Sequence, residues 1–255
     1  MPSLTINGES LYYAESGLGG PTAVLIHGSG GDHTTWGPQL AGLSDAARIV
    51  APDLPGHGAS SGEGCESIAD YAAVVRQFLT ALGGGPVVLG GHSLGGAIAL
   101  AVALDAPDLL RGLILVGTGA RLRVLPALFE ILARDYAEAV DFMIDHAWSS
   151  SASAELKQRG RETVSATRPA VTRGDFLACD GFDAMARLGE IRLPALVVVG
   201  SEDRLTPPKY SEYLVRSLAG AKLEVIERAG HFVSLEQPDA VNRALRDFLG
   251  RLGRS

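Results

Sequence analysis

"PVVLGGHSLGGAIALAVAL" occupies residues 86–104. It opens like a buried strand, Pro86-Val87-Val88-Leu89, and closes like a buried helix, from Ala97 to Leu104. Between them stand four glycines with His92, Ser93 and Leu94. Neither a strand nor a helix favours that much glycine, because each one costs backbone entropy. A sharp strand-to-helix turn does favour it. Gly91-His92-Ser93-Leu94-Gly95 matches G-x-S-x-G, the elbow that forces a serine into strained backbone and exposes its Oγ above a sheet. Gly91 and Gly95 would remove Cβ atoms that collide there, and Gly96 would let the helix pack close to the sheet. The helix N-terminus would point its free N–H groups at whatever Ser93 attacks.

The pattern alone is weak, since 32 glycines make such matches cheap. A second one is present, Gly58-Ala59-Ser60-Ser61-Gly62. Context separates the two. "DLPGHGASSGEG" has no apolar run on either side of Ser60, so Ser60 reads as a loop serine.

Working outward, short strand-like runs recur at Ser3–Asn7, Leu11–Ser16, Thr22–His27, Ala47–Pro52, Val87–Gly91, Gly112–Gly117, Ala195–Gly200 and Lys222–Glu227. Several are near-continuous Val, Ile, Leu and Ala, as strands buried on both faces of a parallel sheet are. Helical patterns lie between them at Ser67–Leu82, Leu94–Ala106, Pro208–Leu218 and Pro238–Leu252. The alternation predicts a doubly wound α/β sheet. "NGES" leaves room only for a hairpin between the first two strands. From about Thr118 to Arg187 no good strand appears. The expected organisation is a core from residues 1–117 and 188–255, with a helical cap at 118–187.

Composition sets bounds. The chain has 255 residues, 46% hydrophobic and 20% charged, enough for a full core. A net charge of −7 gives no reason to seek nucleic acid or an anionic membrane. Cys65 and Cys179 lie in no metal or redox spacing and read as free thiols in a reducing compartment. "MPSLTINGES" lacks the features of a signal peptide, and no apolar run approaches a membrane span. The expectation is a cytoplasmic protein, monomer or homodimer, with neither nucleic acid nor membrane as partner.

A serine nucleophile needs a base, oriented by a third group. Of six histidines, His231 stands in "ERAGHFVSLEQP", just after the last strand, at the carboxyl edge where Ser93 also lies. His92 adjoins Ser93 and points elsewhere. His27 and His57, in glycine-rich loops, read as structural, and His146 as a surface or packing residue. "LVVVGSEDRLTP" offers both Glu202 and Asp203 after a buried strand, with no alternation from which to read their facing. Two oxyanion donors are expected: the N–H of Leu94, after the nucleophile, and that of Ser29 in His27-Gly28-Ser29-Gly30. No P-loop lysine follows that loop, which disfavours a phosphate reading.

"LIHGSGG", "PDLPGHGAS", "GGHSLGG", "LVVVGSEDRLTP" and "AGHF" occur in order over nearly the whole chain. With them the sequence resembles the α/β-hydrolase fold superfamily, in its small esterase/lactonase-type branch. The resemblance implies a mostly parallel eight-stranded sheet, a helical cap after the sixth strand, no cofactor, and hydrolysis through an acyl-enzyme. It implies that the acid is the third residue after the strand's terminal glycine, Asp203, and that Asp53 ties down its loop. The implied triad is Ser93, Asp203 and His231. Dehalogenases and epoxide hydrolases of this fold carry aspartate at the elbow, so serine disfavours them. A carboxylesterase for small, largely apolar substrates is expected. Enol-lactonases, C–C bond hydrolases, thioesterases, cofactor-free perhydrolases and slow-turnover receptors share the same set, because function lives in the pocket.

The cap segment carries Phe129, Tyr136, Phe142, Met143, Trp148, Phe176 and Phe182. At helical spacing such residues more often pack than line a site, yet some must roof it. Lys157, Arg159, Arg161, Arg168 and Arg173 could steer an anion; a solvated face is the plainer reading.

Overall fold

The computed structural model describes residues 2–253. Its first two strands, β1 (Ser3–Ile6) and β2 (Glu9–Ser16), form the expected hairpin. Asn7 and Gly8 close it with φ of 53° and 86°, the left-handed pair that a two-residue turn requires. Six strands follow: β3 (Thr22–Ile26), β4 (Arg48–Pro52), β5 (Val87–His92), β6 (Leu110–Val116), β7 (Ala195–Gly200) and β8 (Lys222–Ile226). The sheet order is β1-β2-β4-β3-β5-β6-β7-β8. Pairing is antiparallel up to β2–β4 and parallel from β4 onward.

The central strands show why their sequences do not alternate. Val24, Ile26, Leu89, Leu113, Leu115 and Val197 enter one core with α2 (Ile68–Leu82) and α3 (Leu94–Asp105). Their neighbours Leu25, Val88, Ile114, Val116, Leu196 and Val198 enter a second core. There they meet Val241, Leu245 and Phe248 of the last helix, Pro238–Leu252. Both faces are covered, so both phases must be apolar. On the same side as that last helix, α1 (Gly37–Gly42) is a short element that the apolar pattern gave no sign of.

Between β6 and β7 come α4 (Pro126–Arg134), α5 (Tyr136–Ala147), α6 (Ala154–Ala166) and α7 (Pro169–Gly181). An isolated β-bridge, Arg121 to Asp183, joins the two ends of this insertion. The polar run after Ser153 is more regular than its composition suggests. Ser153 Oγ caps α6 by accepting from Leu156 N at 3.2 Å, and Arg159–Glu155 and Gln158–Glu162 brace its exposed face. Caps and i,i+4 pairs hold a helix that has little apolar stripe. The chain finishes with α8 (Pro208–Ser217), α9 (Val233–Glu236) and α10 (Pro238–Leu252). Among the described residues, no helix is long and apolar enough to cross a membrane.

Candidate active site

β5 stops at His92, and Ser93 takes φ 52° and ψ −115°, a conformation that L-residues avoid. The surroundings over-determine it. Ser93 N donates to Val116 O at 3.0 Å, and Ser93 O accepts from Thr118 Oγ1 at 2.8 Å. A Cβ on Gly91 would lie 2.0 Å from the Gly95 carbonyl carbon. One on Gly95 would lie 2.3 Å from Ile26 O, and one on Gly96 2.5 Å from Thr118 Cγ2. The glycines are there because three backbone segments converge on the elbow. Strain of this kind, of order 1–3 kcal/mol, persists only where neighbours enforce it.

The two candidate acids part company. Asp203 Oδ2 accepts from His231 Nδ1 at 2.9 Å and from Thr206 Oγ1 at 2.8 Å. Its Oδ1 accepts from the N–H groups of Leu205 and Thr206 at 2.9 and 2.8 Å. Burial alone would raise this carboxyl's pKa; facing His231 and these donors, it is held below its ordinary value instead. Glu202 turns to Ser150, accepting from its N–H and hydroxyl, both at 2.9 Å. With Nδ1 on Asp203, the His231 ring lines the same cavity as Ser93. No hydrogen bond joins Ser93 Oγ to that ring; the two share the cavity wall.

Two residues that the sequence left without a role hold His231 in place. His92 Nε2 donates to His231 O at 2.9 Å, and the two rings lie 4.5 Å apart. Burial first, and His231 beside it, push His92 down to about 3, so it is a neutral donor. On the other side His231 N donates to Ala147 O at 2.7 Å, at the end of α5. Thr206 braces the acid. The sequence signal was only that His92 adjoins Ser93 and that Thr206 follows Asp203 by three residues.

Ser29 lines the cavity from the loop after β3, and Leu94 N lies at the first residue of α3. The loop is fixed by groups far away in sequence. Gly30 N donates to Asp175 Oδ2 at 2.8 Å, Gly30 O accepts from Thr167 Oγ1 at 3.0 Å, and Ser29 Oγ lies 3.7 Å from Cys179 Sγ.

The cavity encloses about 390 Å³, at the low end of the range for small-molecule sites. Phe142, Met143 and Phe176 line it together with Leu128, Val164 and Phe232. Tyr136, Trp148 and Phe182 instead enter packed clusters. Arg123, Arg204 and Lys209 contribute the cationic lining. The suspected steering residues do not: Arg159, Arg161 and Arg168 pair with Glu155, Asp141 and Glu63 on the surface. Among the described residues no group of His, Cys, Asp or Glu is arranged to hold a metal ion.

The remaining candidates are structural. Ser60 Oγ accepts from Tyr12 N at 2.9 Å and donates to Asp53 O at 2.7 Å. Asp53 is fully buried and receives His33 N, His33 Nδ1 and Ala59 N at 2.7, 2.9 and 2.8 Å. His27 donates to Gly28 O at 2.8 Å and accepts from Leu54 N at 3.0 Å. His146 donates to Phe142 O and stacks on its ring.

A sequence profile described as the alpha/beta hydrolase family matches residues 23–244. The chain belongs to this family. Among relatives, it is 34% identical to a RutD protein of Variovorax paradoxus named as a carbamate hydrolase, over 95% of this chain and 97% of that one. Among solved structures, it superposes with TM-score 0.90 on an esterase from Thermogutta terrifontis. That pair is 28% identical and covers 99% and 98% of the two chains. The enol-lactonase from Burkholderia xenovorans gives TM-score 0.90 at 25% identity, covering 98% and 100%. In this alpha/beta hydrolase the strained serine, the Asp203–His231 pair and the Gly28–Gly30 loop converge on one cavity, at the carboxyl ends of the strands.

Proposed function

We propose that this alpha/beta hydrolase is a serine carboxylesterase acting on small, largely apolar esters. The observation that carries the reading is the strained Ser93 beside a histidine already oriented by a buried carboxylate. Ser93 Oγ attacks the ester carbonyl while His231 Nε2 takes its proton. Asp203 holds Nδ1–H and stabilises the imidazolium that forms. The N–H groups of Ser29 and Leu94 receive the developing oxyanion, where a fixed donor is worth about 10²–10³ in rate. His231 returns the proton to the leaving alcohol, giving an acyl-enzyme. Water, deprotonated by the same ring, then releases the acid. Ser93 and His231 line the same cavity, and a hydrogen bond between nucleophile and base often tightens only with substrate bound. The apolar lining from α5 and α7 suits an aliphatic or aromatic acyl group.

The test is a panel of p-nitrophenyl esters of rising acyl length, run beside a lactone, a thioester and a carbamate. Sustained turnover that is best on short to medium esters supports the reading. A stoichiometric burst without turnover would instead make the protein a receptor, and preference for another bond would move it to a sister activity.

A further inference from the structure

A second buried carboxylate lies just behind the site. Asp175, on α7, is fully buried and accepts three hydrogen bonds from three separate segments of the chain. Tyr71 Oη donates to Oδ1 at 2.6 Å; His57 Nε2 and Gly30 N donate to Oδ2 at 2.9 and 2.8 Å. His57 also faces Pro55 O through Nδ1, at 3.0 Å. Both of its nitrogens therefore face acceptors, an arrangement that favours the protonated ring. An ion pair with no access to water is costly unless every lone pair is met. Here the carboxylate meets three donors, one of them a backbone amide next to the proposed oxyanion donor.

We propose that Asp175 is a positioning residue: by fixing the Gly30 amide it sets the direction of the Ser29 N–H toward the reacting carbonyl. This rests on the serine-hydrolase reading of the site. Thr167 Oγ1 grips the same glycine from its carbonyl side at 3.0 Å, so the insertion holds the Gly30 residue at both ends. Gly30 itself has φ 65°, and a Cβ there would press on Val164 at 3.2 Å. The loop is thus seated against α6 and α7, and the insertion completes the oxyanion site as well as roofing it. A displacement of about 1 Å at such a donor costs on the order of 10²-fold in rate.

The experiment compares three variants with wild type, each normalised to Ser93 titrated with a fluorophosphonate. Asp175→Ala is expected to lower kcat by about 10–100-fold with KM within about twofold, because the lost interaction belongs to the transition state. Binding of a trifluoromethyl ketone, which forms an oxyanion on Ser93, should weaken by a similar factor. Asp175→Asn keeps an acceptor for Gly30 N and turns an N–H donor toward Tyr71 Oη in place of the accepting oxygen, and should recover most of the rate. Thr167→Val leaves the ion pair intact and removes only the second grip. It should cost about three- to tenfold in kcat, and it carries the test if Asp175→Ala does not fold. Unchanged kcat and ketone affinity in Asp175→Ala, or in Thr167→Val where only that variant folds, would overturn the proposal. Failure of wild type itself to react with the fluorophosphonate would instead overturn the serine-hydrolase reading.

Discussion

Among the described residues, two His–Asp pairs of the same length are buried on both sides, unlike the partly exposed His33 with Asp53. Asp203 and His231 meet at 2.9 Å, and so do Asp175 and His57. They differ in what the second ring nitrogen does. In His57 it is bonded to Pro55 O, so the ring is closed on both sides. In His231 only Nδ1 is engaged by Asp203 and Thr206, and the ring lines the cavity. A carboxylate alone does not make a histidine a base. The base needs one nitrogen tied, to fix the tautomer, and the other left to the substrate. The closed pair can only hold structure, and it holds the loop that the open pair works against.

Exchanging charge for shape at the open pair should have the largest effect. Asp203→Asn is expected to lower kcat by roughly 10⁴, since an amide favours the wrong imidazole tautomer. Glu202→Gln, whose side chain hydrogen-bonds to Ser150 and not to His231, should stay near wild type; the assay is kcat for both at pH 7 to 8. The reverse result would assign the roles the other way round.

The closed pair should answer in stability. Removing one partner of a buried pair costs about 3–5 kcal/mol. At about 2–4 °C per kcal/mol for a chain near this size, Asp175→Ala should melt roughly 6–20 °C lower. A calorimetric shift under a degree would mean that the pair is not formed.

Acidity separates the histidines further. Burial would lower His57, but Asp175, with smaller help from Pro55 and Asp53, outweighs it and the net shift is upward. Its contribution is therefore complete below the ordinary histidine range and fades as pH rises through the elevated folded value. The melting gap between wild type and His57→Gln should narrow from pH 6 to pH 9. His27 and His92 behave oppositely. Burial takes His27 down to about 4 and His92 to about 3, against 6.5 for an unperturbed ring. The unfolded chain then binds protons first, and stability falls as pH drops below about 6.5. His92→Asn, which can still donate to His231 O, should flatten that acid limb in thermal melts. An unchanged slope would mean that His92 is charged when folded.

The smallest effect belongs to the decoy serine. Ser60→Ala removes two loop hydrogen bonds and should cost about 1–2 kcal/mol, while turnover stays within a few-fold. Abolished turnover would mean that the wrong G-x-S-x-G had been taken as the elbow.

These contrasts also explain what the sequence could convey. The elbow and the eight strands are legible because each is written locally, as an apolar run or a turn glycine; Ser93 and His231 stand in such marked turns, whereas the choice of Asp203 over Glu202 rests on the family resemblance. Asp175 is not legible. It lies in "RPAVTRGDFLACDG", a mixed polar and apolar segment that carries no motif, and its partners His57 and Gly30 are 118 and 145 residues away. Nothing local marks a carboxylate that will be buried by elements so distant. Likewise the facing of Glu202 and Asp203 depends on how the loop turns after Gly200, and three valines in a row give no phase. The division of cap aromatics into lining and packing follows from helix rotation, which spacing alone left open.

The central claim is that Ser93 carries a covalent acyl group during turnover. The direct measurement is intact-protein and peptide mass spectrometry during hydrolysis of a p-nitrophenyl ester, with Ser93→Ala in parallel. An acyl adduct is expected on the peptide containing Ser93, and the alanine variant should lose a factor of order 10⁴–10⁶ in kcat. An adduct on Ser60, or full turnover by Ser93→Ala, would contradict that claim.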